Sequence, residues 1–236
     1  MGAVSAERKV FQLIHRQSTC TITSTPTSRE AIVLITKYPL LKYDPTPPAQ
    51  PLAMSIPISL RRYNITREEF LSQHPEYNKV AVGALVFDKQ SDEQSDEWLL
   101  LIIQRASTAS SSPSRWEIPG GKLENETIPN GIGRELFEEV GMRVIDFIHL
   151  VDEVKFLEVM DGLIWCKISC EVRVEHTACV QLNPAEHQDY LWVTKEELER
   201  HEKEREGKVV KFKITEPWHE ATMFKGFQLK EGQAKD

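Results

Sequence analysis

Short apolar runs, separated by turn signals, follow one another along the chain from residue 79 onwards. The segments 80–88 and 97–105 are almost continuously apolar, which is typical of strands buried on both faces. The segments 143–159 and 163–175 alternate apolar and polar positions, and this pattern predicts half-buried antiparallel strands. A further strand is predicted at 189–193.

Helical periodicity interrupts these strands. The clearest helix, 129–141, carries its apolar residues along one arc. Two more begin with a capping box, in which a Thr precedes a Glu by three residues: Thr66 with Glu69, and Thr194 with Glu197. Strands around one strong helix, with further helices at the end, indicate an α/β sandwich with a mixed sheet. The predicted helices are 64–73, 129–141, 195–204 and 216–228.

The first third of the chain is more irregular, because Pro- and Ser-rich stretches interrupt it. Strands are predicted at 31–36 and at 53–60, the second with the edge character that Pro57 imposes. We therefore divide the chain into an N-terminal extension, residues 1–78, and a main domain, residues 79–230.

The charge of the chain argues against one class of function. The 236 residues include 29 Lys and Arg against 36 Asp and Glu, a net charge of −7. A protein that binds the phosphate backbone of DNA or RNA needs a basic face, so we expect no DNA partner. A small phosphorylated substrate remains compatible, because divalent cations supply positive charge locally.

The sequence also constrains the cellular location. No apolar run approaches the roughly 20 residues that span a bilayer, so no membrane partner is expected. The 4 cysteines lack the spacing of a zinc site and are interpreted as reduced thiols of an intracellular, cytoplasmic protein. An organelle transit peptide stays open as the alternative, because residues 1–29 are rich in Ser and Thr and mostly basic in charge.

The helix at 129–141 has an acidic face formed by Glu135, Glu138 and Glu139. Like charges at this spacing each cost a few tenths of a kcal/mol, and acids near a helix C-terminus also oppose its dipole. A solvated surface is the ordinary explanation of such a face. Carboxylates clustered on one rigid face also suit Mg²⁺ or Mn²⁺, which prefer oxygen ligands.

Two glycines weigh against the solvated-surface explanation. Gly131 and Gly133 lie in the same helix, where each costs about 1 kcal/mol relative to Ala. A helix selected only for solubility would not contain them. We infer that local stability has been given up for another purpose, and metal binding is the interpretation we favour.

The spacing of these residues resembles a known motif, the Nudix box, over residues 120–142, and the strand order is similar to a Nudix domain over 79–228. The chain is thus identified as a member of the Nudix hydrolase family. The resemblance implies an α/β/α sandwich with a mixed sheet, preceded here by the extension. The residues that match every fixed position of the box are Gly120, Glu126, Arg134, Glu135, Leu136, Glu138, Glu139, Gly141 and Met142.

The resemblance also implies a divalent-cation site, with Mg²⁺ or Mn²⁺ as the cofactor. By position, Glu138 and Glu139 are the principal metal ligands, and Glu135 is a further ligand or the base that activates water. Gly120, or its neighbour Gly121, provides a backbone carbonyl to the metal. The box residues Arg134 and Glu126 are implied to be structural, holding the loop against the helix.

Three residues before the box are candidates for substrate binding. Arg105 ends a predicted strand, where Nudix enzymes often place a phosphate-contacting arginine, although a solvated strand end is the alternative. Arg115 and Trp116 directly precede the box. Trp116 is a candidate for stacking on a base, and a place in the core is the competing interpretation.

The stretch 183–193 resembles the Nudix segment in which an extra Glu acts as metal ligand or base. Glu186 is the first candidate and Asp189 the second, and the ordinary alternative is a solvated loop acid. His187 lies beside Glu186 and is a further candidate, although a lone loop His is more often uninvolved.

The resemblance implies a Nudix pyrophosphohydrolase that cleaves a diphosphate linkage by attack of water on phosphorus. The expected substrate is a small molecule, a nucleoside diphosphate linked to another moiety. One alternative is a prenyl or other organic diphosphate, with residues 1–78 covering the pocket. The other is a catalytically silent binding protein, which usually loses box carboxylates that this chain keeps. A homodimer is compatible with the resemblance.

Overall fold

The computed structural model describes residues 56–89 and 97–233. The strand predicted at 31–36 lies outside these residues, as does the start of the one predicted at 53–60. The helices are a 3₁₀ helix Ile58–Tyr63, α1 Arg67–Gln73, α2 Ile128–Val140, α3 Lys195–Arg200 and α4 Pro217–Gln233. The strands are β1 Lys79–Lys89, β2 Trp98–Arg105, β3 Trp116–Glu117, β4 Val144–Glu158, β5 Leu163–Val174, β6 His187–Val193, β7 Glu202–Arg205 and β8 Lys208–Lys211.

The main sheet has the strand order β3-β2-β1-β5-β4, and β6 pairs with β2. The central pair, β1 and β5, is parallel. All other pairs in this sheet are antiparallel. The sheet is therefore mixed, as predicted, and β4 and β5 form the predicted antiparallel pair.

Helices cover both faces of the sheet, because each face of the central strands is apolar. Val80 and Val82 of β1 face the core that α1 and α2 close, whereas Leu85 faces the core that α3 and α4 close. The apolar arc of α2 includes Ile132 and Leu136, which are 1% and 0% exposed. This confirms the predicted α/β/α sandwich. None of the described helices is long and apolar enough to cross a membrane.

The segment before β1 packs on the first of these cores. The prediction of α1 with a capping box is confirmed: Thr66 and Glu69 exchange the two capping hydrogen bonds. The predicted strand at 53–60 is wrong over its described part, where Ile58–Tyr63 is a 3₁₀ helix. Leu60 and Tyr63 both become buried there, because residues three apart lie on one side of a 3₁₀ helix.

The helix predicted at 195–204 is shorter in the structure. It ends at Arg200 because His201 adopts a left-handed conformation, with φ of 54°. The following residues form β7, which pairs with β8 in a separate two-stranded sheet. The charged residues of 202–205 favoured a helix by propensity, and pairing with β8 overrode that preference.

Candidate active site

The loop between β3 and α2, residues 118–127, is attached to the edge of β1 by main-chain hydrogen bonds. The Val82 N–H donates to the Gly121 carbonyl at 2.8 Å, and the Ala84 N–H donates to the Pro119 carbonyl at 2.8 Å. The Leu123 side chain, in the middle of the same loop, is fully buried. These contacts fix the loop relative to the central strand before α2 begins.

Two glycines allow the loop to pass this close to its neighbours. Gly120 has φ of 148°, and a Cβ there would lie 2.2 Å from the Val82 carbonyl oxygen. A Cβ on Gly121 would lie 2.7 Å from Oε2 of Glu135. At Gly120 the obstacle is backbone, so only glycine fits, whereas at Gly121 a side chain would displace the Glu135 carboxylate. The loop backbone therefore lies directly against the acidic face of α2.

The start and end of α2 agree with the sequence. Pro129 lies in the first turn, and Gly141 ends the helix in the left-handed conformation, with φ of 72°. The Gly141 N–H donates to the Phe137 carbonyl. These two ends therefore fix where the acidic face of α2 lies relative to the loop.

Arg134 joins the loop to the helix. Its guanidinium contacts Glu126 at 2.8 Å and donates to the Lys122 carbonyl at 3.2 Å, and both of these residues belong to the loop. Nη1 also lies 2.9 Å from a carboxylate oxygen of Glu135 and 2.9 Å from one of Glu138. The planar guanidinium thus orients two acids of the helix as well as the loop.

Glu139 is the most buried acid of the cluster, at 3% exposed. Burial raises its pKa well above the ordinary value, the Gly120 N–H bond to Oε2 at 2.7 Å opposes that shift, and the negative charges of Glu117, Glu135 and Glu186 add to it. A buried carboxyl with three acidic neighbours favours any cation that reaches it.

Glu135 and Glu138 differ in their surroundings although they lie on one helix face. Burial raises the pKa of Glu135, the contact with Arg134 lowers it, and Glu138 and Glu186 raise it further. The Glu138 side chain is 51% exposed. The acidic face therefore runs from buried Glu139 to exposed Glu138.

A second layer of buried charges lies beneath the cluster. Glu117, in β3, is 7% exposed and forms an ion pair with Arg105 of β2 at 2.7 Å. Burial raises the pKa of Glu117, but the His187 ring and the positive charges of Lys167 and Arg105 outweigh burial and lower the pKa to about 2. Glu117 is therefore a buried anion at neutral pH.

Lys167 of β5 provides a buried cation on the α4 side. Its Nζ lies 2.5 Å from His219 Nε2, and the other ring nitrogen of His219 lies 2.5 Å from the Thr215 hydroxyl. Burial lowers the pKa of Lys167, and the charges of Glu117 and Glu139 oppose this shift. Lys167 thus contacts His219 of α4 and also interacts electrostatically with the acids Glu117 and Glu139.

The sequence analysis missed Glu117, Lys167 and His219. Glu117 and Lys167 are polar residues in alternating strands, where a polar position ordinarily indicates solvent exposure. Only the pairing of β3 with β2 puts Arg105 beside Glu117. No local signal in the sequence could have found that contact.

The candidates that follow β5, Glu186, His187 and Asp189, separate into two groups. Glu139, Glu186 and His187 each offer one potential ligand atom, and these atoms lie within 4.8 Å of one another. Asp189 instead forms a two-pronged ion pair with Arg205 of β7, at 2.8 and 2.7 Å. Of the two acids considered, Glu186 is thus the one beside the cluster.

The three substrate-binding candidates also differ in their surroundings. Arg105 pairs with Glu117 and donates to the Ser111 carbonyl at 2.8 Å, and its side chain is 27% exposed. Trp116 is 2% exposed and packs against Phe212. Its ring fills the core between β3 and α4, and burial there excludes stacking on a substrate base in this conformation. Arg115 lines a cavity of about 340 Å³ with residues of the segment 213–217.

The donor set fits a hard divalent cation. Glu139 accepts from the Gly120 N–H, the Glu135 carboxylate lies against Gly121, and Glu186 approaches from the segment before β6. Glu138 lies on the same helix face and is more exposed. Among the described residues, both ring nitrogens of His187 are buried without a hydrogen-bond partner beside these acids. Burial raises the pKa values of Glu135 and Glu139, and a cation that binds between such carboxylates stabilises their charged form.

Comparisons with known proteins agree with this fold. A family model described as NUDIX domain matches residues 77–212. No curated protein matches the chain significantly. Among solved structures, a C. elegans Ap4A hydrolase shares 17% identity and a TM-score of 0.50, over 66% of this chain and 99% of its own.

Two further structures are similar. The MutT protein of Methanosarcina mazei Go1 shares 23% identity and a TM-score of 0.47, over 65% of this chain and 94% of its own. The NUDIX domain of Shewanella oneidensis NrtR, crystallised with ADP ribose, shares 15% identity and a TM-score of 0.49, over 70% of this chain and 98% of its own. The family match covers more than half of the chain and includes the complete box, and the chain therefore belongs to the Nudix hydrolase family.

Proposed function

We propose that the protein hydrolyses a diphosphate linkage in a small molecule, with a divalent cation as cofactor. The substrate we favour is a nucleoside diphosphate linked to another moiety. The observation that carries the proposal is the acidic cluster at the loop 118–127, hereafter the glycine loop: Glu139 and Glu135 lie against Gly120 and Gly121, Glu186 lies close to Glu139, and every acid of the Nudix box is present. Retention of these acids argues against a silent binding protein.

The residues that would hold the cation are Glu135, Glu138, Glu139 and the Gly120 carbonyl. The Gly121 carbonyl accepts the Val82 N–H, which favours Gly120 as the glycine that meets the metal. Mg²⁺ or Mn²⁺ at this position would neutralise charge on the diphosphate oxygens and acidify water.

The remaining residues orient this donor set. Nη1 of Arg134 lies 2.9 Å from a carboxylate oxygen of Glu135 and 2.9 Å from one of Glu138, and thereby orients both carboxylates. The Gly120 N–H holds one oxygen of Glu139 at 2.7 Å, so the other oxygen is turned towards the site. Glu135 and Glu186 are the two candidates for the base that takes the proton from water.

Arg105 and Arg115 are the candidates for contacts with the substrate phosphates. Arg105 is partly exposed, and its pairing with Glu117 sets the direction of its guanidinium. Trp116 is not included, because its ring lies in the core.

The proposal is tested by turnover with Mg²⁺, using ADP-ribose, dinucleoside polyphosphates and prenyl diphosphates as substrates and chromatography of the products. We expect a nucleotide product, a nucleoside carrying one or more phosphates, from at least one of the first two classes. If only prenyl diphosphates were cleaved, the substrate class would be an organic diphosphate and not a nucleoside diphosphate derivative.

A matched pair of variants tests the site itself. Glu139→Gln is expected to lower kcat at least about 100-fold, equivalent to about 2.7 kcal/mol. Glu124→Gln makes the same chemical change at an exposed position of the loop and should leave turnover unaltered. Comparing kcat–pH profiles of Glu135→Gln and Glu186→Gln identifies the base, since only its loss removes the acidic limb. Equal turnover in wild type and Glu139→Gln would refute the proposal.

A further inference from the structure

His187 is a buried polar side chain without a hydrogen bond among the described residues. It begins β6, it is 2% exposed, and neither ring nitrogen has a partner. Burying such a group without a partner costs about 1–3 kcal/mol. A ring that only filled space would be replaced at lower cost by an apolar residue, so a specific role is indicated.

The ring faces two carboxylates at distances that are too long for direct hydrogen bonds. His187 Nε2 lies 3.6 Å from Oε1 of Glu117 and 3.7 Å from Oε1 of Glu139. Nitrogen–oxygen hydrogen bonds are usually about 2.7–3.2 Å long. Oε1 of Glu117 already accepts from Arg105 at 2.7 Å. Glu139 binds Gly120 with its other oxygen, Oε2, so its Oε1 is directed at the ring.

These distances match those between two ligands of one ion. Metal bonds of about 2.1 Å place neighbouring ligand atoms about 3–4 Å apart. The 3.7 Å between His187 Nε2 and Glu139 Oε1 falls in that range. Glu186 contributes a third potential ligand atom within 4.8 Å of those from His187 and Glu139.

We propose that His187 Nε2 is a direct ligand of the cation that Glu139 would hold, which makes the centre a mixed nitrogen–oxygen site with Glu186 beside it. This inference rests on the proposed function, because it concerns the same cation. It assigns a metal selectivity: Mg²⁺ prefers oxygen ligands, whereas an imidazole nitrogen favours first-row transition ions. The protein therefore binds Co²⁺ more tightly than Mg²⁺.

Pulsed electron paramagnetic resonance tests the ligand directly. The full-length protein loaded with Mn²⁺ should show nitrogen modulation, and labelling histidine with ¹⁵N should replace the ¹⁴N pattern. His187→Gln should abolish the modulation, whereas His176→Gln, at an exposed histidine, should retain it. The ¹⁵N arm uses the wild-type chain and remains decisive if His187→Gln does not fold. Bound Mn²⁺ without histidine modulation would overturn the assignment.

Calorimetric titration with Co²⁺ and with Mg²⁺ tests the selectivity. His187→Gln is expected to weaken Co²⁺ binding about 10-fold or more and to change Mg²⁺ binding less than about 3-fold. An unchanged ratio of the two affinities would also overturn the inference. Loss of turnover in Glu139→Gln without a histidine signal refutes the nitrogen ligand alone. A histidine signal with full turnover in Glu139→Gln refutes the proposed function alone.

Discussion

Replacement of Glu117 by Gln tests the buried charges beneath the acidic cluster. The substitution removes one negative charge and keeps the shape of the side chain, so Arg105, Lys167 and His187 lose a shared anionic neighbour. The wild-type pKa of about 2, against an ordinary value of 4.5, corresponds to about 3 kcal/mol in favour of the folded state at neutral pH. This is a large part of the roughly 5–15 kcal/mol that stabilises a typical domain.

The pH dependence of this contribution has a definite sign. Because the folded protein lowers the pKa of Glu117, the unfolded chain binds the proton first as the pH falls. The stabilisation is complete well above pH 4.5, declines below it, and is lost as the pH approaches 2. The difference in unfolding free energy between wild type and Glu117→Gln should therefore fall from about 3 kcal/mol at pH 7 to roughly half at pH 3.

Urea unfolding of the metal-free protein, followed by tryptophan fluorescence, measures this difference at each pH. Glu199→Gln is the matched control, because Glu199 is exposed on α3 and its replacement should change stability by less than about 0.5 kcal/mol. A loss below about 1 kcal/mol at pH 7 for Glu117→Gln, or a loss that is the same at pH 3, would refute the reasoning.

Three further predictions concern the loop and the helix. Burial and the negative charges around Glu139 raise the pKa of Glu139, so the stability that this residue contributes to the metal-free protein falls as the pH rises through the folded pKa. Glu139→Gln should therefore be more stable than wild type at pH 8 with EDTA. Equal stability of the two proteins under these conditions would contradict this. Arg134→Ala should cost about 3–5 kcal/mol in urea unfolding because it leaves the largely buried carboxylates of Glu126 and Glu135 without their cation. Arg134→Lys should be intermediate, and equal stability of the two variants would show that guanidinium geometry is unimportant. Gly120→Ala should lower the free energy of unfolding by about 3 kcal/mol or more, because the new Cβ would collide with a carbonyl oxygen. Gly162→Ala, also at positive φ but in open space, should lower it by only about 1–2 kcal/mol. Equal losses would exclude the collision as the cause.

Much of the fold was predictable because its signals are local. Alternation and apolar runs located β1, β2, β4 and β5, and the capping box located α1. The errors occurred where distant pairing decides the outcome. Residues 202–205 have helical propensity and nonetheless pair with β8, and the edge strand predicted from Pro57 is a 3₁₀ helix that packs on the core.

The candidate site was predictable only in part, for the same reason. Fixed spacing identified the acids of α2, whereas Glu117 and Lys167 become neighbours of the cluster only through the pairing of strands. One of the two helix glycines, Gly131, has a packing role that its place in the sequence did not indicate. A Cβ on Gly131 would lie 2.3 Å from Leu123 Cδ1, so this glycine serves the packing of the loop against α2.

The parallel pairing of β1 with β5 has a consequence for engineering. Residues 79–86 pair with residues 165–172, and the entire glycine loop and α2 lie between the two strands in the chain. The loop is bound to β1 through Val82, so its shape depends on a strand that β5 must support. A peptide that contains only residues 116–142 would therefore bind cations poorly. Transplanting the motif onto another scaffold would require moving both strands with it.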